Sequence, residues 1–220
     1  MNAELKKRII TSLILLTLLT AMYFYTFIMI VSLIIIAMIT WIEFYALISK
    51  ILLENSIKGK FLRFLCKSLS LLYLFFLVYL ILAIEAHHLD LKIYLWYSFL
   101  VAIQSDIGGL VFGRIFKGQK LTKISPNKTI SGSIGSFVFS LFLIPFFYSK
   151  LEEYNFLILI LITIAISLIS QSGDLFISYL KRRAKVKDTS DILPGHGGFL
   201  DRLDGIIFAV PMGILLFSIS

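Results

Sequence analysis

Residues 9–42 read IITSLILLTLLTAMYFYTFIMIVSLIIIAMITWI, a run of 34 without one charged side chain. An α-helix rises about 1.5 Å per residue, so a single helix of this run would be roughly 50 Å long against a hydrocarbon core of about 30 Å. Two helices fit where one does not. The break belongs near Tyr23–Phe27, because aromatic rings collect at bilayer interfaces. The spans are then about Ile9–Met22, or a little beyond, and Ile28–Ser49. Lys6-Lys7-Arg8 before an apolar run imitates a signal peptide. No small-x-small site follows and a second span comes at once, so cleavage is not expected.

The composition agrees. Of 220 residues, 59% are hydrophobic and 15% charged, with mean hydropathy +0.94, whereas a soluble domain carries about 25% charged residues. This excludes a soluble enzyme and a disordered chain. Cys66 is the only cysteine, which excludes an intramolecular disulfide and a Cys-based zinc site. The net charge of +8 points to membrane topology rather than nucleic acid.

Further spans fall at about Leu65–Ile84, Ile93–Gly113, Ile134–Ser149, Tyr154–Leu180 and Leu203–Ile219, the last holding Pro211. The expected fold is all-α: a polytopic membrane bundle of about seven transmembrane helices, one membrane domain over residues 1–220, without repeats or linkers. With the amino terminus in the cytoplasm, 19 of the 21 Lys and Arg residues face inward, and only Lys92 and Lys150 lie outside. That asymmetry supports the span count and the orientation, since one missed helix would scramble it.

The inner charges gather in two polar segments, residues 104–136 (QSDIGGLVFGRIFKGQKLTKISPNKTISGSIGS) and 171–205 (QSGDLFISYLKRRAKVKDTSDILPGHGGFLDRLDG). They hold six of the thirteen acidic residues and eleven of the thirteen glycines. Acid, base and glycine together suit a polyphosphate–metal site: glycine lets backbone N–H groups approach phosphate, cations neutralise it, and carboxylates hold a divalent cation.

Asp174 lies two turns before Lys181 on an apolar helix, where a carboxylate is functional by default. Asp174, Ser178 and Lys181 share a face, and so do Asp201 and Asp204 if they open the last helix. The plainer alternative is that Asp174 pairs with Lys181 or Arg182 and only neutralises a buried charge. His196, in Pro194-Gly195-His196-Gly197-Gly198, is either a hydrogen-bonded turn residue or, given its flanking glycines, a ligand contact. Residues 181–187 alone would pass for a lipid-contacting basic anchor. His87 and His88 are interfacial, and Glu43, after Trp41, is a packing or snorkelling carboxylate with no chemistry assigned.

The second segment resembles the 27-residue signature of the phosphatidate cytidylyltransferases, through Ser178, Lys181-Arg182, Lys187-Asp188, Pro194, His196-Gly197-Gly198, Asp201-Arg202 and Asp204. The first is similar to the family's other polar segment through Asp106, Gly113-Arg114, Lys120, Ser125-Pro126, Lys128-Thr129 and Gly132. It departs at Gly109-Leu110, Asn127 and Ser131, and the first hundred residues match only as apolar spans, with Trp41 and Glu43 a faint echo. The resemblance implies transfer of CMP from CTP to phosphatidic acid, giving CDP-diacylglycerol and pyrophosphate, the first committed step of CDP-diacylglycerol-dependent phospholipid synthesis. It implies a bacterial-type inner-membrane enzyme with its active site facing the cytoplasm.

On that resemblance Asp174, Asp201 and Asp204 are the expected ligands of Mg²⁺, with a second cation beside it. Lys181, Arg182, Lys187 and Arg202 hold phosphates; Asp106, Lys120, Ser125 and Lys128 line the opposite wall. Ser178, Asp188, His196, Gly197 and Gly198 complete the substrate contacts. CTP and phosphatidic acid are the expected partners, nucleic acid is not, and a homodimer follows by family analogy. A CDP-alcohol phosphotransferase is excluded, since Asp204-Gly205 lacks the following Ala-Arg. A transporter would carry its charges near the midplane rather than at one face.

Overall fold

A computed structural model of the chain describes residues 3–52, 56–122, 125 and 128–219. Lys123, Pro126 and Asn127 lie in the recognised first segment but outside the described residues. The described chain is helical: α1 (Ala3–Phe24), α2 (Thr26–Ile51), α3 (Ile57–His87), α4 (Lys92–Phe116), α5 (Ile130–Leu141), α6 (Ile144–Phe147), α7 (Phe156–Arg183), α8 (Leu200–Leu203) and α9 (Ile206–Ile219). Seven stretches among the described residues are long and apolar enough to cross a membrane: Leu5–Phe24, Thr26–Ile51, Ile57–His87, Lys92–Phe116, Ile130–Lys150, Phe156–Arg183 and Leu200–Ile219. The all-α polytopic membrane reading therefore stands, and the long uncharged run does divide within its aromatic cluster, at Tyr25.

Three departures have local causes. α3 starts at Ile57, eight residues before the expected apolar run, because Lys58, Lys60 and Arg63 continue the helix beyond its hydrophobic part. The fifth span is broken between α5 and α6, just before Pro145, whose ring removes an N–H and clashes with the preceding turn. The seventh is broken at Asp204-Gly205, between α8 and α9. Asp204 therefore stands in a turn, and the shared helical face expected for Asp201 and Asp204 is not formed.

The chain divides into two compact units, residues 1–85 with 180–203 and residues 86–179 with 204–220. The first two crossings fall inside α3 and α7, so no change of composition marks them.

In the second unit, Tyr97, Val101, Ala102, Leu159, Ile166, Ala209 and Phe217 form a buried core. Burial of apolar surface from lipid gives little drive, so close packing and interhelical hydrogen bonds must hold such helices. α4 and α5 meet through glycine: a Cβ on Gly108 would lie 2.3 Å from the Gly135 carbonyl oxygen. Hydroxyls supply the rest. Tyr97 and Thr163 are 2.6 Å apart, Ser105 and Ser167 2.9 Å, and Ser136 donates to the Ser105 carbonyl at 2.7 Å. In the first unit α1 packs on α2, and both meet the segment between α7 and α8.

Candidate functional site

In the first unit the signature segment after α7 folds back on α1 and α2. Leu193-Pro194-Gly195-His196 makes a turn closed by His196 N–H donating to the Leu193 carbonyl at 2.8 Å. Proline at the second position and Gly195 at φ +76° in the third are the demands of a type II turn. The Pro194 carbonyl accepts from Thr11 Oγ1 at 2.9 Å, and His196 Nε2 lies 3.2 Å from Ser12 Oγ. His196 Nδ1 is buried without a hydrogen-bond partner among the described residues. Arg202 donates from Nε and Nη2 to the His196 carbonyl at 3.0 and 2.6 Å. Arg202 thus holds the loop itself.

Two carboxylates fix the two arms of this loop. Asp201 Oδ1 accepts from Lys181 Nζ at 2.7 Å. Its Oδ2 accepts from the backbone N–H groups of Thr189 at 2.8 Å and Gly198 at 3.0 Å. Glu43 reaches the same loop from α2. Its Oε1 lies 2.5 Å from the Ser190 hydroxyl and accepts from Phe199 N–H at 3.1 Å, and its Oε2 accepts from Leu200 N–H at 2.7 Å. The Thr189 hydroxyl sits between the two acids, 3.0 Å from Glu43 Oε2 and 2.9 Å from Asp201 Oδ2, and has one hydrogen to give. Glu43 is 2% exposed, so these partners replace water altogether.

Of the two sequence readings of Glu43, burial excludes the snorkelling one: it is a packing carboxylate, and it ties the loop's arms together. The available signal was an acid inside an apolar span, which is rarely idle. Its partners, some 150 positions on in the chain, were not visible.

The glycines follow from this clamp. Gly197 has φ +82°, and a Cβ on Gly198 would lie 2.1 Å from Thr189 Oγ1 and 2.5 and 2.6 Å from the Glu43 oxygens. Gly198→Ala should therefore destabilise the fold by roughly 1–3 kcal/mol of overpacking, lowering the thermal midpoint and speeding trypsin cleavage at Lys185 and Lys187. A parent-like melt and cleavage rate would refute the clamp. Arg182, Lys187 and Asp188 are exposed around the loop.

The second unit holds the remaining residues. Between α4 and α5 the described residues 117–122, 125, 128 and 129 belong to a lasso whose neck is paired, with Leu121 N–H donating to the Lys128 carbonyl at 2.8 Å and Ile130 N–H to the Gln119 carbonyl at 3.0 Å. Lys128 N–H donates to the Ser125 carbonyl at 3.1 Å. Thr129 caps α5, accepting from Gly132 N–H at 3.1 Å. The lasso delivers Lys128 to an ion pair with Asp174 of α7, whose Oδ1 also accepts from Ser178 at 3.3 Å. The simpler sequence alternative, Asp174 with Lys181 or Arg182, is not the pairing formed. Asp204 is buried and accepts from Gly205 N–H at 3.0 Å. Its carbonyl approaches α7 so closely that a Cβ on Gly173 would meet it at 2.7 Å. Asp106 on α4 and Lys120 on the lasso are exposed.

Oxygen donors suit a hard divalent cation in kind. Among the described residues no three His, Cys, Asp or Glu side chains gather into a metal-holding group. The acids differ in access: the Asp174 side chain is 25% exposed and has one lysine partner, whereas Asp201 is 5% exposed with both oxygens accepting protein donors. Asp174 fits a cation better than Asp201 does.

The sequence model of the cytidylyltransferase family matches residues 1–220. The chain belongs to that family. Among cytidylyltransferases, the phosphatidate cytidylyltransferase of Staphylococcus haemolyticus (strain JCSC1435) is 45% identical over 122 residues, covering 54% of this chain and 46% of the relative. That of Staphylococcus saprophyticus is 42% identical over 130 residues, 57% of this chain and 50% of the relative. That of Rickettsia typhi is 40% identical over 138 residues, 58% of each. The chain thus spans about half the length of the curated relatives it matches.

Proposed function

We propose that this cytidylyltransferase-family chain transfers CMP from CTP to phosphatidic acid, forming CDP-diacylglycerol and pyrophosphate. The observation that carries the reading is the signature loop, whose Lys181–Asp201 pair and glycine-built backbone are held by an acid from another helix. A phosphatidate oxygen attacks the α-phosphorus of CTP, a new P–O bond forms, and the bond to the β-phosphate breaks with its electrons leaving on pyrophosphate. The lipid phosphate is already anionic near neutral pH, so no strong base is needed. The barrier lies in bringing one anion onto another, and catalysis is charge neutralisation and in-line positioning.

Lys181, fixed by Asp201, and the exposed Arg182 and Lys187 serve phosphate oxygens; Lys128, beside Asp174, does the same in its own unit. Mg²⁺ on Asp174, with Asp204 of the same unit as the other candidate ligand, would add Lewis-acid neutralisation of the phosphates; Asp201, expected as a ligand from the resemblance, serves instead to position Lys181. The same proposal places the loops on the cytoplasmic side of a bacterial inner membrane, following the 19-to-2 distribution of basic residues. A homodimer is part of the proposal by family analogy.

The test is turnover of phosphatidate and CTP by the purified protein in detergent, scored as equal yields of CDP-diacylglycerol and pyrophosphate. Asp174→Asn should keep the fold and raise the Mg²⁺ concentration for half-maximal rate at least tenfold, as expected for loss of a ligand. No turnover by the parent with any divalent cation would overturn the function. An unchanged Mg²⁺ dependence in the variant would overturn the ligand.

A further inference from the structure

The early start of α3 adds Lys58, Lys60 and Arg63 to the helix, and the last two line a cavity. Lys60 and Arg63 lie in its opening turns and Lys67 one turn on, at i, i+3 and i+7, so the three share a face. α2 faces them with Trp41 and Tyr45, and a cavity of 490 Å³ lies between the helices. The aromatic wall is fitted to the cations: Lys67 Nζ stands 3.3 Å above the Tyr45 ring centroid, and Trp41 Nε1 donates to the Lys67 carbonyl at 3.2 Å. Arg63 and Lys67 are half-buried.

The lining changes along α3. Phe64 stands between Arg63 and Lys67 and Leu71 one turn beyond Lys67, 68% and 46% exposed in a stretch apolar enough to span a membrane. From Lys60 to Leu71 the helix advances about 16 Å, so the cations line the part of the cavity nearer the start of α3 and the lining runs out onto apolar Leu71. A free anion would leave the apolar end without a purpose, and a neutral lipid would bring no charge to meet Lys60 and Lys67. Basic pockets between transmembrane helices bind anionic head groups.

We propose that this cavity binds an anionic phospholipid of the surrounding bilayer, its phosphate among Lys60, Arg63 and Lys67 and its first acyl carbons along Phe64 and Leu71. The site is separate from the signature loop. Trp41 and Glu43 are two residues apart, about 200° around α2, so one helix presents the loop clamp on one side and the lipid cavity on another. The assignment does not rest on the proposed reaction.

Trp41 is a reporter built into the wall, and Trp96 is the one other tryptophan. The experiment reconstitutes the full chain carrying Trp96→Phe in phosphatidylcholine bilayers. These contain either phosphatidylglycerol with brominated acyl chains or brominated phosphatidylcholine at equal mole fraction. The anionic quencher should quench Trp41 more strongly, and the excess should shrink in the double variant Lys60→Gln/Lys67→Gln. Each charge removed should weaken binding about fivefold. Lys50→Gln/Lys58→Gln removes the same charge outside the cavity and should leave the excess intact. Should the first double variant fail to fold, Lys60→Gln alone, at an exposed position, carries the test.

Equal quenching by the two lipids would overturn the site. So would an excess that survives loss of Lys60 or Lys67, or one lost equally in the control. An excess abolished by inorganic phosphate would show a free-anion site and overturn the lipid assignment.

Discussion

In Glu43→Gln, CTP-dependent turnover should fall about a hundredfold, the loss associated with misplacing a reacting group by about 1 Å. The substitution keeps the side-chain volume and changes one oxygen into an NH₂. Each Glu43 oxygen accepts from one backbone N–H, Phe199 on one side and Leu200 on the other, and each meets a hydroxyl, Ser190 or Thr189. Whichever way the amide turns, a donor faces a buried N–H. Two charge-assisted hydrogen bonds are lost at roughly 1.5–3 kcal/mol each, so the thermal midpoint should fall as well. Trypsin cleavage at Lys185 and Lys187 gives a readout independent of activity. Thr189→Val in the same background should add less than it costs alone, because the two side chains are partners. Parent-like turnover and cleavage in Glu43→Gln would remove Glu43 from the site.

The second large effect is expected at Asp201. With asparagine there, the single remaining oxygen can serve the Thr189 and Gly198 N–H groups only by presenting its NH₂ to the Lys181 ammonium. Lys181 is then released, and turnover should drop about 10²–10³-fold, as when one preorganised charge-stabilising donor is removed. The loop should also loosen, since breaking a largely buried ion pair costs about 3 kcal/mol or more. What separates this from the loss of a metal ligand is the Mg²⁺ dependence. Asp201→Asn should lower the maximal rate with the half-saturating Mg²⁺ concentration little changed, whereas Asp174→Asn should move the Mg²⁺ dependence itself. A large rise in half-saturating Mg²⁺ for Asp201→Asn would make Asp201 a ligand rather than a positioning residue.

Lys181 and Asp174 illustrate how far spacing along a helix can be trusted. They share a face of α7 in the sequence, and the simple alternative paired Asp174 with Lys181 or its neighbour. The lasso instead supplies Lys128 to Asp174, and the loop supplies Asp201 to Lys181. Lys128 comes from a connecting segment and Asp201 from the short α8 that follows one, and the paths of those segments are set by a cap at Thr129, a turn at Pro194-Gly195 and the grip of Arg202 on the His196 carbonyl. Helical periodicity carries no information about those paths.

The solvent, the span count and the two segments where polar residues gather were all legible in the sequence. Hydropathy is a local property integrated along the chain, and a bilayer of fixed thickness turns it directly into helices. The aromatic cluster that ends α1 and the 27-residue signature are equally local. The breaks at Pro145 and Asp204-Gly205 were local too, although the number of uncharged residues concealed them. Which donors each acid accepts is a property of the folded chain alone. Glu43, in an apolar span, makes none of its hydrogen bonds along its own helix, and burial obliges its oxygens to find partners wherever the fold brings them. They are found some 150 positions away, in the backbone of a loop that only glycine allows to come so close.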